Sequence, residues 1–479
     1  MDSDGDDSSV DSWDLDDEER FIRYLPRVRN NDPRVKHLRC DGRYDIAQDL
    51  TIKDWENIGR DISNNKYLEQ LHIVESAVDD VFILSIFNIG GLSRSSSIVN
   101  LDLQNNYDFS ETGLMRLETF LQNSINLRKL NISNTYIQNE GLNMFWRALC
   151  ASPIESLICN DCCIRSIEIE NVPNNLQYLS LSGNDIKSEG FNRLIRPLRD
   201  SSIEHLHCRN CRIESIDIDT DSFPRNLKTL DLGSNGINSN GCHGIAKLLQ
   251  GDLLEKLRLE NNLIGVEGVA ILVDALKTNT TLDLLGLEDN DGISRNGRIM
   301  MLELVHDMSS IKATLQSNHT LQTIRLGGIH DDIDLYIDMA TTYNREYPVR
   351  AGTEKVIQTQ LHSKRRAEWE EIQGVVSQSV YGEIDPLHLP EVLSLVGHRH
   401  GQGELYVALK ASIAEVMSTV SRKRCIQQRI AYHASIIAKY ESVIAEHSAK
   451  QRELKEEIKT MEGESSVLAE QRITRRRRK

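Results

Sequence analysis

Four cysteines have the spacing of a zinc site. Cys159-x-x-Cys162 and Cys208-x-x-Cys211 form two CxxC pairs, and four thiolates arranged this way are a standard tetrahedral donor set. Glu288-Asp289-Asn290-Asp291-Gly292 resembles a calcium loop, because clustered carboxylate and amide oxygens suit a hard cation. The register fixed by Gly292, however, places Leu287 at the first ligand position and Arg298 at the last, so the loop fails as an EF-hand. Gly397–Gly403 (GHRHGQG) offers glycines and two histidines, without a preceding strand for dinucleotide binding or a third metal ligand nearby. P-loop, nucleophile-elbow, zincin and kinase signatures are all missing from the sequence. These readings assign no catalytic residue, no metal and no cofactor, and they predict a protein that is not an enzyme.

The elements that carry these residues are repeats. The pattern L-x-x-L-x-L-x-x-N/C is clearest at Ile98-Leu101-Leu103-Asn106, Leu176-Leu179-Leu181-Asn184, Leu227-Leu230-Leu232-Asn235, Leu254-Leu257-Leu259-Asn262 and Leu282-Leu285-Leu287-Asn290. Weaker copies start at Val35, Leu68, Leu127, Ile154, Ile203 and Leu321. The mean spacing of about 29 residues is the upper end of the leucine-rich-repeat range. In a strand, alternate side chains share a face, so the second and third leucines point inward and the residue between them points out. The Asn or Cys that follows lies where the chain leaves the strand, and a buried side chain there serves backbone groups that no neighbouring strand reaches.

Each long repeat has a second half. Gly113, Gly141, Gly190, Gly241, Gly268 and Gly297 follow the ladder position, and apolar residues come at spacings of three and four, as in Phe191/Leu194/Leu198 and Val269/Leu272/Leu276. That spacing predicts one helical stripe per repeat. A strand with one helix cannot bury its apolar face alone, so stacking supplies the core. The repeats at Ile154 and Ile203 instead read Ile164-x-x-Ile167-x-Ile169 and Ile213-x-x-Ile216-x-Ile218, extended returns without a helix. Each alternates with a helical repeat, so 154–202 and 203–253 look like a duplicated block. The predicted fold is α/β: a solenoid with parallel strands on its concave face and helices on its convex face, followed by an α-helical, coiled-coil tail.

This register reinterprets the cysteines. Cys159 and Cys208 take the inward third-leucine position, Cys162 and Cys211 the ladder position. The pairs are two strands apart, about 9–10 Å, whereas zinc needs each sulfur at about 2.3 Å. All four are read as structural.

The surface expected to carry function is the outward strand position. Repeat by repeat it holds Arg39, His72, Asp102, Asn131, Ile158, Ser180, His207, Asp231, Arg258, Gly286 and Arg325, with Arg209, Glu260 and Glu288 beside it. A row of mixed charge without a long apolar run favours a folded protein partner over lipid or nucleic acid. The predicted contact residues are Arg39, His72, Asp102, Asn131, His207, Arg209, Asp231, Arg258, Glu260 and Arg325.

Charge narrows the partners further. The chain of 479 residues carries a formal −16, with ten acids and no base in residues 1–19 and a surplus of +7 in residues 421–479. An acidic body repels phosphate backbones, which argues against nucleic acid. The acidic start is the opposite of a secretory leader, and the longest apolar stretch is far short of a membrane span. Nine cysteines in such a chain imply free thiols in a reducing compartment. The expected location is the cytoplasm, with the nucleus allowed by the terminal RITRRRRK.

The expected domains are an acidic arm and N-terminal cap (1–34), the solenoid (35–342), a helical cap or linker (343–407), a long helix or coiled coil (408–470) and a basic tail (471–479). From Ile426 to Met461 core-compatible residues alternate at intervals of four and three, a heptad pattern. Ile430, Ile437, Tyr440, Ile444, Leu454 and Ile458 would form a homodimer seam.

The stretch Leu227–Leu282 resembles the ribonuclease-inhibitor-like class of leucine-rich repeats, the helix-bearing type shared with Ran GTPase-activating proteins and the sensor arms of innate-immune receptors. With Leu387–Tyr406 and the coiled coil, the arrangement is similar to a group of algal proteins of this repeat type. The resemblance implies a protein-binding scaffold. It also implies an alternative, activation of a small Ran-like GTPase.

Overall fold

The computed structural model describes residues 17–41, 50–74, 85–87, 97–107, 111–217, 223–307, 311–327, 332–355 and 450. Eleven strands form one parallel sheet in strict chain order: β1 (His37–Asp41), β2 (Gln70–Val74), β3 (Asn100–Asp102), β4 (Lys129–Asn131), β5 (Ser156–Ile158), β6 (Tyr178–Ser180), β7 (His205–His207), β8 (Thr229–Asp231), β9 (Lys256–Arg258), β10 (Leu284–Gly286) and β11 (Thr323–Arg325). Each falls on one predicted repeat. The second leucine of the pattern runs as a single column, from Leu38 paired with Leu71 through to Leu285 paired with Ile324. One contiguous core holds the strand and helix leucines together.

The described helices are α1 (Asp17–Arg29), α2 (Ile52–Asn64), α3 (Glu111–Asn123), α4 (Gln138–Ala151), α5 (Lys187–Leu198), α6 (Ser239–Leu249), α7 (Val266–Leu276), α8 (Arg295–Val305), α9 (Ile311–Gln316), α10 (Asp332–Glu346) and α11 (Ala351–Lys355). In α5, Phe191, Leu194 and Leu198 are buried, and in α7 Val269, Leu272 and Leu276, as the stripe requires. A capping box starts α2: the Thr51 hydroxyl accepts from Asp54 N, and the Asp54 carboxylate accepts from Thr51 N at 2.9 Å.

Two polar ladders tie the repeats together. At the strand exit, Asn184 Nδ2 donates to the carbonyls of Cys159 and Leu181, and its Oδ1 accepts from Cys162 N and Ile164 N. Asn235 and Asn262 repeat the device. The cysteines take the same role with a weaker donor: Cys162 Sγ lies 3.2 Å from Ile132 O and Cys211 Sγ 3.2 Å from Leu181 O. The residue before each ladder position is left-handed, as at Asn105, Asn134, Asn210, Asn261 and Gly183, which suits asparagine and glycine. The second ladder lies three residues before a strand's first leucine. Asn65, Asn279 and Asn318 each accept two backbone N–H groups through Oδ1 and donate to the preceding repeat.

The two short repeats are extended returns: no helix lies between β5 and β6, or between β7 and β8, among the described residues. They are pinned from the preceding helix. Asn139 Oδ1 accepts from Arg165 N and Ser166 N, and Asn143 from Glu168 N. One block later Ser188 Oγ accepts from Glu214 N and Ser215 N, and Asn192 from Asp217 N. Matching pins at matching places support the duplication.

The C-terminal end of the sheet is closed by α10 and α11. Lys355, fully buried, donates from Nζ to Val305 O at 2.6 Å and lies 3.3 Å from His319 Nδ1. Burial, and next the Lys355 charge, holds His306 and His319 down at about 4; burial brings Lys355 down to about 7. Unfolded histidine binds its proton near 6.5, so the unfolded chain takes up more protons between those limits. The histidines' contribution is therefore complete above pH 6.5 and lost as pH falls toward 4. Thermal unfolding should show the melting temperature falling by several degrees over that window. A His306→Gln/His319→Gln variant should flatten that slope, and an unchanged slope would refute the assignment.

Candidate interaction face

Strand alternation leaves one side of the sheet without helices, and every predicted contact residue lies on or beside that side. The register sets Arg39 beside His72, His72 beside Asp102 and Asp102 beside Asn131. Farther along, His207, Asp231, Arg258, Gly286 and Arg325 occupy matching positions on β7 to β11.

Three zones differ in chemistry. Over β1 to β3, Arg39 pairs with Asp41 at 2.9 Å, and His72 Nδ1 lies 3.5 Å from Asp102. Over β4 to β6 the central row, Asn131, Ile158 and Ser180, is uncharged, with exposed Lys129 beside it. Asn131 Nδ2 donates to Gln104 Oε1, the Ser133 hydroxyl donates to Asn131 Oδ1, and Ser180 Oγ donates to Asn160 Oδ1. From β7 onward it is ionic. His207 Nδ1 lies 3.7 Å from Asp231, and the Tyr178 ring stacks obliquely on His207 with centroids 5.0 Å apart. Burial holds His207 below its ordinary range against the opposing pull of Asp231, and burial raises Tyr178.

The ionic zone is sorted by depth. Its carboxylates lie low: the side chains of Asp231, Glu260 and Glu288 are 7%, 14% and 26% exposed. Its outer arginines stand high, with Arg209 at 45% and Arg325 at 46%. Pairing between the levels is loose. Arg209 approaches Glu260 only to 3.8 Å and Arg325 approaches Glu288 only to 4.0 Å, beyond hydrogen-bond range. Glu260 Oε2, Glu288 Oε2 and Arg258 Nε are buried atoms with no hydrogen-bond partner. The Arg258 guanidinium forms no ion pair among the described residues. Burial, with the Asp231 and Glu288 charges, raises the Glu260 carboxyl.

Two glycines create this layering. A Cβ at Gly286 would overlap Glu260 Oε1 and come within 3.3 Å of Glu288 Oε2, so both carboxylates converge on a position that has no side chain. Gly233 does the same for Arg209 and Glu260. The outward row is not uniformly open: Ser180, Asp231 and Gly286 are buried. Tyr178, on the same face, is absent from the predicted contact residues. The signal was available, since the residue before the second leucine shares the outward face by alternation.

The seam residues Ile430, Ile437, Tyr440, Ile444, Leu454 and Ile458 lie outside the described residues, as do residues 1–16 of the acidic start and the basic end. Among the described residues, no helix is long and apolar enough to cross a membrane.

Comparisons with known proteins bear on the repeats. The family described as Leucine Rich repeat matches residues 172–191 and 223–246, the strand and helix start of the helical repeat in each block. No curated protein matches the chain. Solved structures that resemble it include the leiomodin-1 actin-binding site 2 domain, 18% identical, over 29% of this chain and 78% of that one, with a TM-score of 0.26. TLR13 in its complex with ssRNA13 is 22% identical over 53% of this chain, TM-score 0.35, and 36% of its own length is spanned. Human 5T4 is 15% identical over 56% of this chain and 94% of that one, TM-score 0.34. The two family matches lie within an eleven-stranded parallel sheet of one strand per repeat, an arrangement consistent with a leucine-rich-repeat solenoid.

Proposed function

We propose that this protein is a non-enzymatic scaffold that captures a folded protein on the concave strand face, paired into a homodimer by the 426–461 seam so that binding is bivalent. The observation that carries the reading is the loosely paired ionic zone of β7 to β11. Half-buried charged groups with an atom left without a hydrogen bond cost free energy in the isolated protein, and a partner that supplies those bonds recovers it. The Leucine Rich repeat family matches residues 172–191 and 223–246, and proteins built of such repeats generally mediate protein–protein interaction.

The test is affinity capture from extract with the full chain beside an Arg258→Glu/Arg325→Glu version, both checked for equal melting temperature. A partner bound by the parent and reduced at least about tenfold in the variant supports the reading, because like charges across an interface cost several kcal/mol. Identical captured sets would sink it. A small GTPase among the lost proteins would select the GTPase-activating alternative over the pure scaffold.

A further inference from the structure

Resting on that concave-face reading, we infer the chemistry of the partner's contact segment: it carries a basic and an acidic side chain two residues apart. The ionic zone holds both signs, and each is underpaired in its own way. Arg258 lies beside Asp231 in the register and its charge reaches Glu260, yet it makes no close ion pair among the described residues, and its Nε is buried and unpartnered. On the next strand, directly beside Arg258 in the register, is Gly286, and over Gly286 converge the Glu260 and Glu288 carboxylates, each with an unpartnered oxygen. Their arginine neighbours are about half exposed and beyond hydrogen-bond distance.

The arrangement discriminates by charge. A purely acidic segment would meet Asp231, Glu260 and Glu288 together, and a purely basic one would meet Arg258. A segment with both signs satisfies both: its cation lies between Glu260 and Glu288 over the side-chain-free position, displacing the exposed arginines, and its carboxylate takes the guanidinium fork of Arg258 bidentately. In extended chain, side chains two residues apart share one face at about 6.6 Å, compatible with adjacent strands about 4.8 Å apart. Gly286 supplies the clearance, since a longer side chain there would fill the space that the carboxylates and the incoming cation share, while Gly233 leaves room for the Arg209 guanidinium.

The probes are three peptides titrated into the full chain: Ac-Gly-Arg-Ala-Glu-Gly-amide, Ac-Gly-Arg-Ala-Gln-Gly-amide and Ac-Gly-Gln-Ala-Glu-Gly-amide. NMR shifts of the Gly233 and Gly286 amides report binding. The two-sign peptide should bind about tenfold more tightly than either one-sign peptide. Arg258→Gln should abolish the preference for the two-sign peptide over the basic one, and Glu260→Gln/Glu288→Gln its preference over the acidic one. Equal affinities for all three peptides, or shifts that persist in both variants, would overturn the inference. Failure here with partner loss in the Arg258→Glu/Arg325→Glu capture would remove the segment chemistry and leave the concave-face reading standing. Loss of no partner in that capture would remove both.

Discussion

Replacing Asn184 with alanine should lower the unfolding free energy by about 4 kcal/mol. The side chain is buried and serves four backbone groups at once, the N–H of Cys162 and Ile164 and the C=O of Cys159 and Leu181. Those groups lie where the chain turns out of β5 and β6, so no strand neighbour replaces the lost partner. An orphaned buried backbone group costs about 1–3 kcal/mol, and partial relaxation keeps the total below the sum of four. Cys162→Ala is the contrast. Its one thiol hydrogen is shared between Ile132 O and Asn160 O, and its sulfur is only a weak acceptor for Thr135 of the preceding repeat, so a cost of about 1 kcal/mol is expected. Urea denaturation followed by circular dichroism separates the two. Equal costs would mean that the amide ladder is not what joins these repeats.

That contrast bears on what the sequence makes legible. Strand positions, the inward cysteines and the absence of helices after Ile164 and Ile213 could all be read because each depends on a short, local spacing, eleven times repeated for the strands and twice for the other two. The second ladder could not. Asn65, Asn279 and Asn318 perform one task, but the corresponding position before Leu127 is Ser124, so the pattern breaks before it can be recognised. The pins Asn139, Asn143, Ser188 and Asn192 were hidden for another reason. Their bonds cross to the next repeat, 25 to 27 residues away, and polar residues on a helix look like ordinary solvated surface.

The candidate face shows the same limit. Alternation alone identified the outward row, which places Arg258, Asp231 and Glu260 near one another. Depth depends on side chains that are missing. Glycine at 286 lets the Glu260 and Glu288 carboxylates lie flat against the sheet, and glycine at 233 makes room for the Arg209 guanidinium beside Glu260; a sequence row in which glycine reads as a blank gives no sign of either. The electrostatic consequence follows from that geometry. A carboxylate lying low on the sheet is less hydrated than an arginine at the rim, so Glu260 rather than Arg209 carries the desolvation cost.

The recurring glycine in the helical half was legible as a marker but not as a contact, and the duplicated blocks provide a matched test. Gly190 and Gly241 hold the same place in α5 and α6. A Cβ at Gly241 would overlap the carbonyl oxygen of Glu214, in the extended return beneath it, and lie 2.9 Å from Ile237 Cγ2. At Gly190 the corresponding carbonyl, Arg165 O, is 3.9 Å away, and the nearest atom is Ile186 Cβ at 3.2 Å. On an isolated helix, alanine is favoured over glycine by about 1 kcal/mol, so helix propensity predicts that both substitutions stabilise. Packing reverses the sign at one of them. A carbonyl fixed in a pinned extended segment yields only if the helix shifts, and such overpacking costs about 1–3 kcal/mol beyond the propensity gain. Gly241→Ala should therefore destabilise by about 2 kcal/mol, while Gly190→Ala should stay within about 1 kcal/mol of the parent. Denaturation midpoints of the two single variants decide the matter. Equal shifts would show that the blocks pack their helices alike and that the closer approach in the second block has no energetic weight. A large loss at Gly241 alone would show that sequence duplication has not preserved packing, and that the helix of the second block is held against its extended return by a contact only glycine permits.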